Sequence, residues 1–276
     1  MQISDKVFVV TGGGNGIGRE VALELLRRGA RVAAVDLNEA GLADTAALAP
    51  TAGTRISTHA VNIADRAAVE ALPAAVIEAH GQIDGIVNVA GIIQPFVRLH
   101  ELPYEQIERV MNVNFWGTVH IDKSFLPHLL ERPEASLVNV SSMSALVPVP
   151  GQSAYGASKS AVKSLTEGLH AELRGTNVAV TVVFPGAVGT NITGNSGVTT
   201  PGGAAAEAGK EHKTTSPVDA GRQIVEAIAK GTPRVRIGGD ARMLDRLGRL
   251  MPTKAIELIA DKMKDLLDRE PAASGR

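Results

Sequence analysis

Residues 6–30, K-V-F-V-V-T-G-G-G-N-G-I-G-R-E-V-A-L-E-L-L-R-R-G-A, decide the fold. The run to Thr11 is short, apolar and rich in β-branched side chains, the composition of a strand. The glycines that follow let the chain turn tightly and bring bare backbone close to a ligand. Beyond them Val21, Leu25 and Leu26 share one face of a helix that Gly29 stops. Strand, glycine loop and helix in that order offer a phosphate free N–H groups and the positive end of the helix dipole. The next strand, R-V-A-A-V, ends at Asp36, 20 residues after Gly16, where a carboxylate accepts hydrogen bonds from an adenosine ribose. The glycine spacing (Gly12, Gly16, Gly18) is G-x-x-x-G-x-G, not G-x-G-x-x-G. It is the strand before, the helix after and the acid at its distance that point to a dinucleotide.

Outward from this unit the alternation continues. A helix is expected over 39–49, a strand over 55–61, a helix over 64–79 and a strand over 83–89, with later strands at 136–141, 177–184 and 234–239. Such alternation builds a doubly wound parallel sheet of about seven strands flanked by helices, in a single domain. Ligands on these sheets bind at the carboxyl ends of the strands. Asn62 and Ile63 follow the third strand and Asn88-Val89-Ala90-Gly91 ends the fourth, so both fall at that edge. An Asn-x-Ala-Gly turn also has a plain reading as a strand-ending loop.

The chain has 276 residues, 44% hydrophobic but only 3% aromatic, so Val, Ile, Leu and Ala must fill the core, which suits a parallel sheet covered on both faces. A net charge of −1 gives no source for the counterion release that drives nucleic-acid binding, and no nucleic-acid partner is expected. There is no cysteine, hence no disulfide or cysteine-based metal site, and no metal is expected. Without a signal-like amino terminus or an apolar run long enough to span a bilayer, the expectation is a cytoplasmic protein with no membrane partner.

Residues 140–159, V-S-S-M-S-A-L-V-P-V-P-G-Q-S-A-Y-G-A-S-K, gather three protic side chains: Ser142, Tyr155 and Lys159. From Ala154 the segment reads as a helix start, and residues four apart share a face. An ammonium about 4 Å from a phenol is worth roughly 4 kcal/mol at an effective dielectric of 20. That is enough to bring the tyrosine down towards working pH as a general acid/base. The pair alone equally describes two residues that merely share a helix surface. Residues 105–125 read as one long helix with Ile107, Val110, Met111, Asn114, Phe115, Val119 and Ile121 or Asp122 on one side. Asn114, interrupting that stripe, is a satisfied core amide or a member of a polar site.

Across residues 3–240, T-G-G-G-N-G-I-G, Asp36, N-V-A-G, the N-V-N helix, V-S-S, Y-G-A-S-K and P-G-A-V-G-T occur in an order that closely resembles the short-chain dehydrogenase/reductase (SDR) family, whose sheet is Rossmann-like. The resemblance implies that Tyr155 is the acid/base and that Lys159 holds the nicotinamide ribose and lowers the tyrosine pKa. It implies that Ser142 hydrogen-bonds the substrate oxygen and that Asn114 anchors a water linking Lys159 to solvent. By the same resemblance Gly12, Asn15, Gly16, Ile17, Gly18, Asp36, Asn62, Ile63, Asn88, Ala90 and Gly91, with Tyr155 and Lys159, line the cofactor. Pro185, Gly186, Val188 and Thr190 match the loop that holds its carboxamide. Two positions depart from the family pattern: Asn62 stands where an aspartate is commoner, and Val89 replaces the second Asn of N-N-A-G.

The expected activity is NAD-dependent interconversion of a secondary alcohol and a ketone, with a small hydrophobic substrate and a homo-oligomer, a dimer or tetramer. One alternative is an NADPH-linked 3-oxoacyl thioester reductase, which sits badly with Asp36. Another is a catalytically idle NAD(H)-binding redox sensor, against which the intact Ser142, Tyr155 and Lys159 set argues. Residues 191–215, rich in Gly, Thr, Ala and Ser, read as a substrate lid. Residues 241–276 read as a helical extension whose stripe of Ile256, Ile259, Met263, Leu266 and Leu267 docks on the domain or on a partner subunit.

Overall fold

Strand β1 (Val7–Thr11) is buried at every position, as a strand must be when helices cover both faces of its sheet. It pairs in parallel with β2 (Arg31–Asp36) on one side and β4 (Gly85–Asn88) on the other. With β3 (Ile56–Ala60), β5 (Ala135–Val140), β6 (Val178–Pro185) and β7 (Arg234–Ile237), the order is β3-β2-β1-β4-β5-β6-β7. Each of these pairings is parallel. This is the seven-stranded, doubly wound, Rossmann-like sheet expected. The strand order reverses between β1 and β4, which opens a crevice at their carboxyl ends. The computed structural model describes residues 1–49, 52–198 and 214–267, the side chains of 265–267 excepted.

The two faces are covered separately. On one, α1 (Gly16–Arg27) and α8 (Pro217–Lys230) bury Val21, Leu25, Ile224 and Ile228 with Phe8, Val10 and Val183 of the sheet. On the other, α3 (Arg66–His80) and α5 (Gly117–Leu130) bury Val69, Leu72, Ile121 and Phe125 with Val7, Val9, Ile86 and Leu137. Helix α2 (Glu39–Ala47) follows β2, and α6 (Ser153–Glu172) packs beside β5 and β6.

The stretch expected as one long helix is interrupted. Helix α4 (Tyr104–Met111) is joined to α5 by a π turn, Asn112–Trp116, a local widening often found at functional sites. The extra residue shifts the buried face. Past Asn114 it runs through Gly117, Thr118, Ile121 and Asp122, while Phe115 and Val119 are only half-buried.

A buried polar ladder joins the middle of the sheet to these helices. Asn88 donates to Asp122 Oδ1 at 2.9 Å and to Asn139 Oδ1 at 2.8 Å, and Asn139 donates to Asp122 Oδ2 at 2.8 Å and Thr166 Oγ1 at 3.1 Å. Burial pushes the Asp122 carboxyl up to about 7, against the pull of its two asparagine donors.

At the C-terminus, α9 (Gly239–Leu250) and α10 (Pro252–Leu267) close over the segment after β5. Val147, Leu244 and Ala255 are buried together, with Met143, Leu247 and Ile259 packed around them. The docking edge of α10 thus runs through Ala255 and Ile259, one turn apart. Ile256, placed on the expected stripe, is 47% exposed because it sits about 100° further round the helix. The side chains of Leu266 and Leu267 lie outside the described residues. Among the described residues no helix is long and apolar enough to cross a membrane.

Candidate active site

The glycine loop brings β1 up against the end of β4. Gly12 has φ +71°, and a β-carbon on it would stand 2.9 Å from Ala90 N, so only glycine permits the approach. A β-carbon on Gly18 would run into the Gly12 carbonyl. Asn15, the N-cap of α1, returns no side-chain bond to the helix. The first-turn N–H groups are therefore left without a capping acceptor beside the cleft.

That cleft, about 730 Å³, is lined by Gly12, Asn15, Gly16, Ile17, Gly18, Asp36, Asn62, Ile63, Ala90, Gly91 and Thr190, a size suited to a small-molecule or cofactor site. Asp36 is pinned at its edge, with Oδ2 accepting from Gly14 N and Oδ1 from Asn38 N, both at 3.0 Å. Glu108, Arg109 and Asn112 of the α4 side also line it. Sequence reasoning passed over these three, since polar residues on an amphipathic helix read as a solvated face. Asn88 is not among the lining residues, its side chain being spent on the buried ladder. Pro185, Gly186 and Val188 are not among the lining residues. They carry Thr190 there, with Gly186 N bonded to Ile237 O at 2.9 Å and Val188 bridged to Thr215.

The π turn aims Asn114 inward, fully buried. Its amide accepts from Ile92 N at 2.8 Å and donates to Ile92 O and Ser158 Oγ, both at 2.9 Å. Its carbonyl accepts from the Thr118 hydroxyl at 2.8 Å. The side chain thus ties the end of β4 to α6. Lys159, also buried, donates from Nζ to Val140 O at 3.0 Å. A β-carbon on Gly91 would meet Lys159 Nζ at 3.0 Å and Asn114 Oδ1 at 3.2 Å, so the two groups converge behind a residue that forms the cleft wall.

Tyr155 lies one turn before Lys159 on α6. Ser142, the N-cap of the turn Met143–Ala145, accepts from Ser144 N at 3.2 Å, and its side chain lies beside the Tyr155 phenol. Burial raises the phenol above its ordinary range and the Ser142 bond draws it partly back. Burial lowers the Lys159 ammonium to about 8. A tyrosine depressed by its lysine is thus not what this chain alone holds: burial raises the phenol, and the pull against it comes from Ser142. The site presents a protonated phenol beside a serine hydroxyl, one helical turn from an ammonium, which suits it to hand a proton to an oxygen.

A family model described as short chain dehydrogenase matches residues 6–200. The chain belongs to the short-chain dehydrogenase/reductase family. This SDR is 37% identical to SadH of Mycobacterium tuberculosis over 268 residues, 92% of this chain and 94% of that one. It is 34% identical to the 1-deoxy-11-beta-hydroxypentalenate dehydrogenase of Streptomyces exfoliatus, over 88% of this chain and 86% of that one. Among solved structures, an SDR from Burkholderia phymatum in complex with NAD superposes with a TM-score of 0.80 at 26% identity, covering 100% of both chains. A short chain dehydrogenase from Burkholderia cenocepacia in complex with NADP gives 0.78 at 25% identity, covering 94% of this chain and 99% of that one.

In this SDR Ile192 and Asn195, at the start of the stretch expected to be a lid, are among the residues that line the cleft. After Thr190 comes a single turn, α7 (Ile192–Asn195). Asn15 Nδ2 donates to Asn195 Oδ1 at 3.4 Å, Ile93 N to the buried Ser196 Oγ at 3.0 Å and Arg109 to Ser196 O at 3.1 Å. The rest of the expected lid, 199–213, lies outside the described residues.

Proposed function

We propose that this SDR interconverts a secondary alcohol and a ketone with NAD as cofactor, Tyr155 serving as acid/base. The observation that carries the proposal is the meeting, behind Gly91, of the Lys159 and Asn114 side chains with the cleft that the glycine loop lines, with Tyr155 one helical turn before Lys159. A bound nicotinamide supplies or accepts the hydride.

The chain's own residues do the rest. Gly12, Gly16 and Gly18 admit the diphosphate to the first turn of α1, and Asp36 accepts hydrogen bonds from the adenosine ribose. Ser142 holds the substrate oxygen. In reduction Tyr155 gives that oxygen its proton, and in oxidation it takes one. Lys159, mostly charged below its pKa of about 8, stabilises the phenolate left behind. The placement of cations supports NAD. Arg19 is tied to Thr45 and Gly14 O behind the loop, and Arg109 is bonded to Ser196 O on the α4 side. The Streptomyces relative, by its name, dehydrogenates a hydroxylated substrate. Met143 and Leu146, which follow Ser142 in the chain, are apolar, which suits a hydrophobic alcohol.

The test is NAD-linked turnover across a panel of aliphatic, cyclic and steroidal secondary alcohols, for wild type and Tyr155→Phe. The variant should bind NADH normally and lose turnover by about 10²- to 10⁴-fold, the scale of general acid–base catalysis. Near wild-type turnover in it would sink the assignment.

A further inference from the structure

An acid/base residue is only as well placed as the backbone that carries it. Tyr155 lies in the first turn of α6, where N–H groups lack intrahelical acceptors, and the N-cap Gln152 supplies no side-chain bond. The Tyr155 N–H is taken instead by Gln94 Oε1, at 3.0 Å, from the loop after β4. The same side chain donates from Nε2 to Gly151 O at 2.9 Å, and Gln152 Nε2 donates back to Gln94 O at 2.8 Å. Gln94 is 0% exposed. An enclosed amide with its oxygen and its nitrogen each bound to the start of one helix fixes that helix against the loop. Its chain neighbour Ile93 gives its N–H to Ser196 Oγ. A single hydrogen-bonded path therefore runs from the 192–196 turn beside the cleft, through Ile93 and Gln94, to Tyr155.

We propose that Gln94 is a positioning residue for catalysis. It sets the Tyr155 phenol by holding the Tyr155 N–H, and it links that placement to the seating of the 192–196 turn. This rests on the reading of Tyr155 as acid/base. A purely structural clamp would cost stability without a selective loss of kcat.

The test compares wild type, Tyr155→Phe, Gln94→Met, Gln94→Glu and Ser196→Ala for kcat, KM, NADH affinity by fluorescence, and melting temperature. Gln94→Met keeps length and bulk but cannot accept from Tyr155 N. It should lower kcat about 10- to 100-fold, the scale of a small misplacement of a reacting group, with NADH affinity within about twofold of wild type. In Gln94→Glu, burial keeps the carboxyl protonated, so acceptor and donor are both restored and kcat should return to within about threefold of wild type. Ser196→Ala should lower kcat alone but add little on top of Gln94→Met, the non-additivity of a shared path. Full kcat in Gln94→Met, or a loss of kcat matched by loss of NADH binding, overturns the proposal. Should Gln94→Met fail to fold, Gln94→Glu decides: kcat near wild type supports the proposal, and a large loss in a folded Glu variant overturns it. If Tyr155→Phe turns over normally, the reading of the site fails. If that variant is inactive while Gln94→Met is not, the inference about Gln94 fails alone.

Discussion

Asp36 is held in place by its own backbone surroundings, with Gly14 N and Asn38 N each occupying one carboxylate oxygen, so its charge stands fixed at the cleft edge. At about 4 Å and an effective dielectric of 20, each unit of like charge on a 2′-phosphate costs roughly 4 kcal/mol. Even a third of that favours NAD by about tenfold. Asp36→Ala should weaken NAD through lost hydrogen bonds and relieve NADP, narrowing the ratio of kcat/KM values from both sides. A wild type that used both cofactors equally would remove the basis for the NAD assignment. Asp36 was legible because its signal is local: one strand, one glycine loop, a fixed separation. Gln94 was not. A lone glutamine after a strand has no period to betray it, and its partners Gly151 and Tyr155 lie 57 and 61 residues further along the chain.

Between elements, the ladder of Asn88, Asp122 and Asn139 couples β4, β5 and α5, and it should leave a signature in pH. Folding raises the Asp122 carboxyl from 3.8 to about 7, so between those values the folded chain holds a proton that the unfolded chain has released. The sign follows from linkage: this contribution to stability is full below about pH 4 and is lost as pH rises through about 7. The melting temperature of wild type should therefore fall with rising pH across that window more steeply than that of Asp122→Asn. Parallel curves would show that the carboxyl does not titrate there. Sequence periodicity found the helix carrying Asn114 but not the π turn within it. An apolar stripe from Ile107 through Val110 to Ile121 is compatible with either a straight helix or one widened by a residue. The choice is made by the long-range bonds of Asn114 to Ile92 and Ser158.

Across the whole molecule, α9 and α10 buttress the segment that begins at Ser142, since Val147 and Met143 pack against Leu244, Leu247, Ala255 and Ile259. The amphipathic pattern of 256–267 announced a docked helix. It could not say which edge docks, because a broad apolar face leaves Ala255 and Ile256 equally eligible until the partner surface is known. A chain ending at Met251 loses the Ala255 and Ile259 contacts, an apolar burial worth roughly 2–4 kcal/mol. For a chain of this size that corresponds to a melting temperature lower by on the order of 5–15 °C. The loss falls on the segment that follows Ser142, while the glycine loop and Asp36 carry none of these contacts. Truncation should therefore raise KM for the alcohol and leave NADH affinity within about twofold of the full chain. Calorimetry and NADH fluorescence on the two chains separate the outcomes. An unchanged melting temperature and an unchanged KM would show that the C-terminal helices buttress nothing, and equal losses of NADH and alcohol binding would place their role in the fold as a whole.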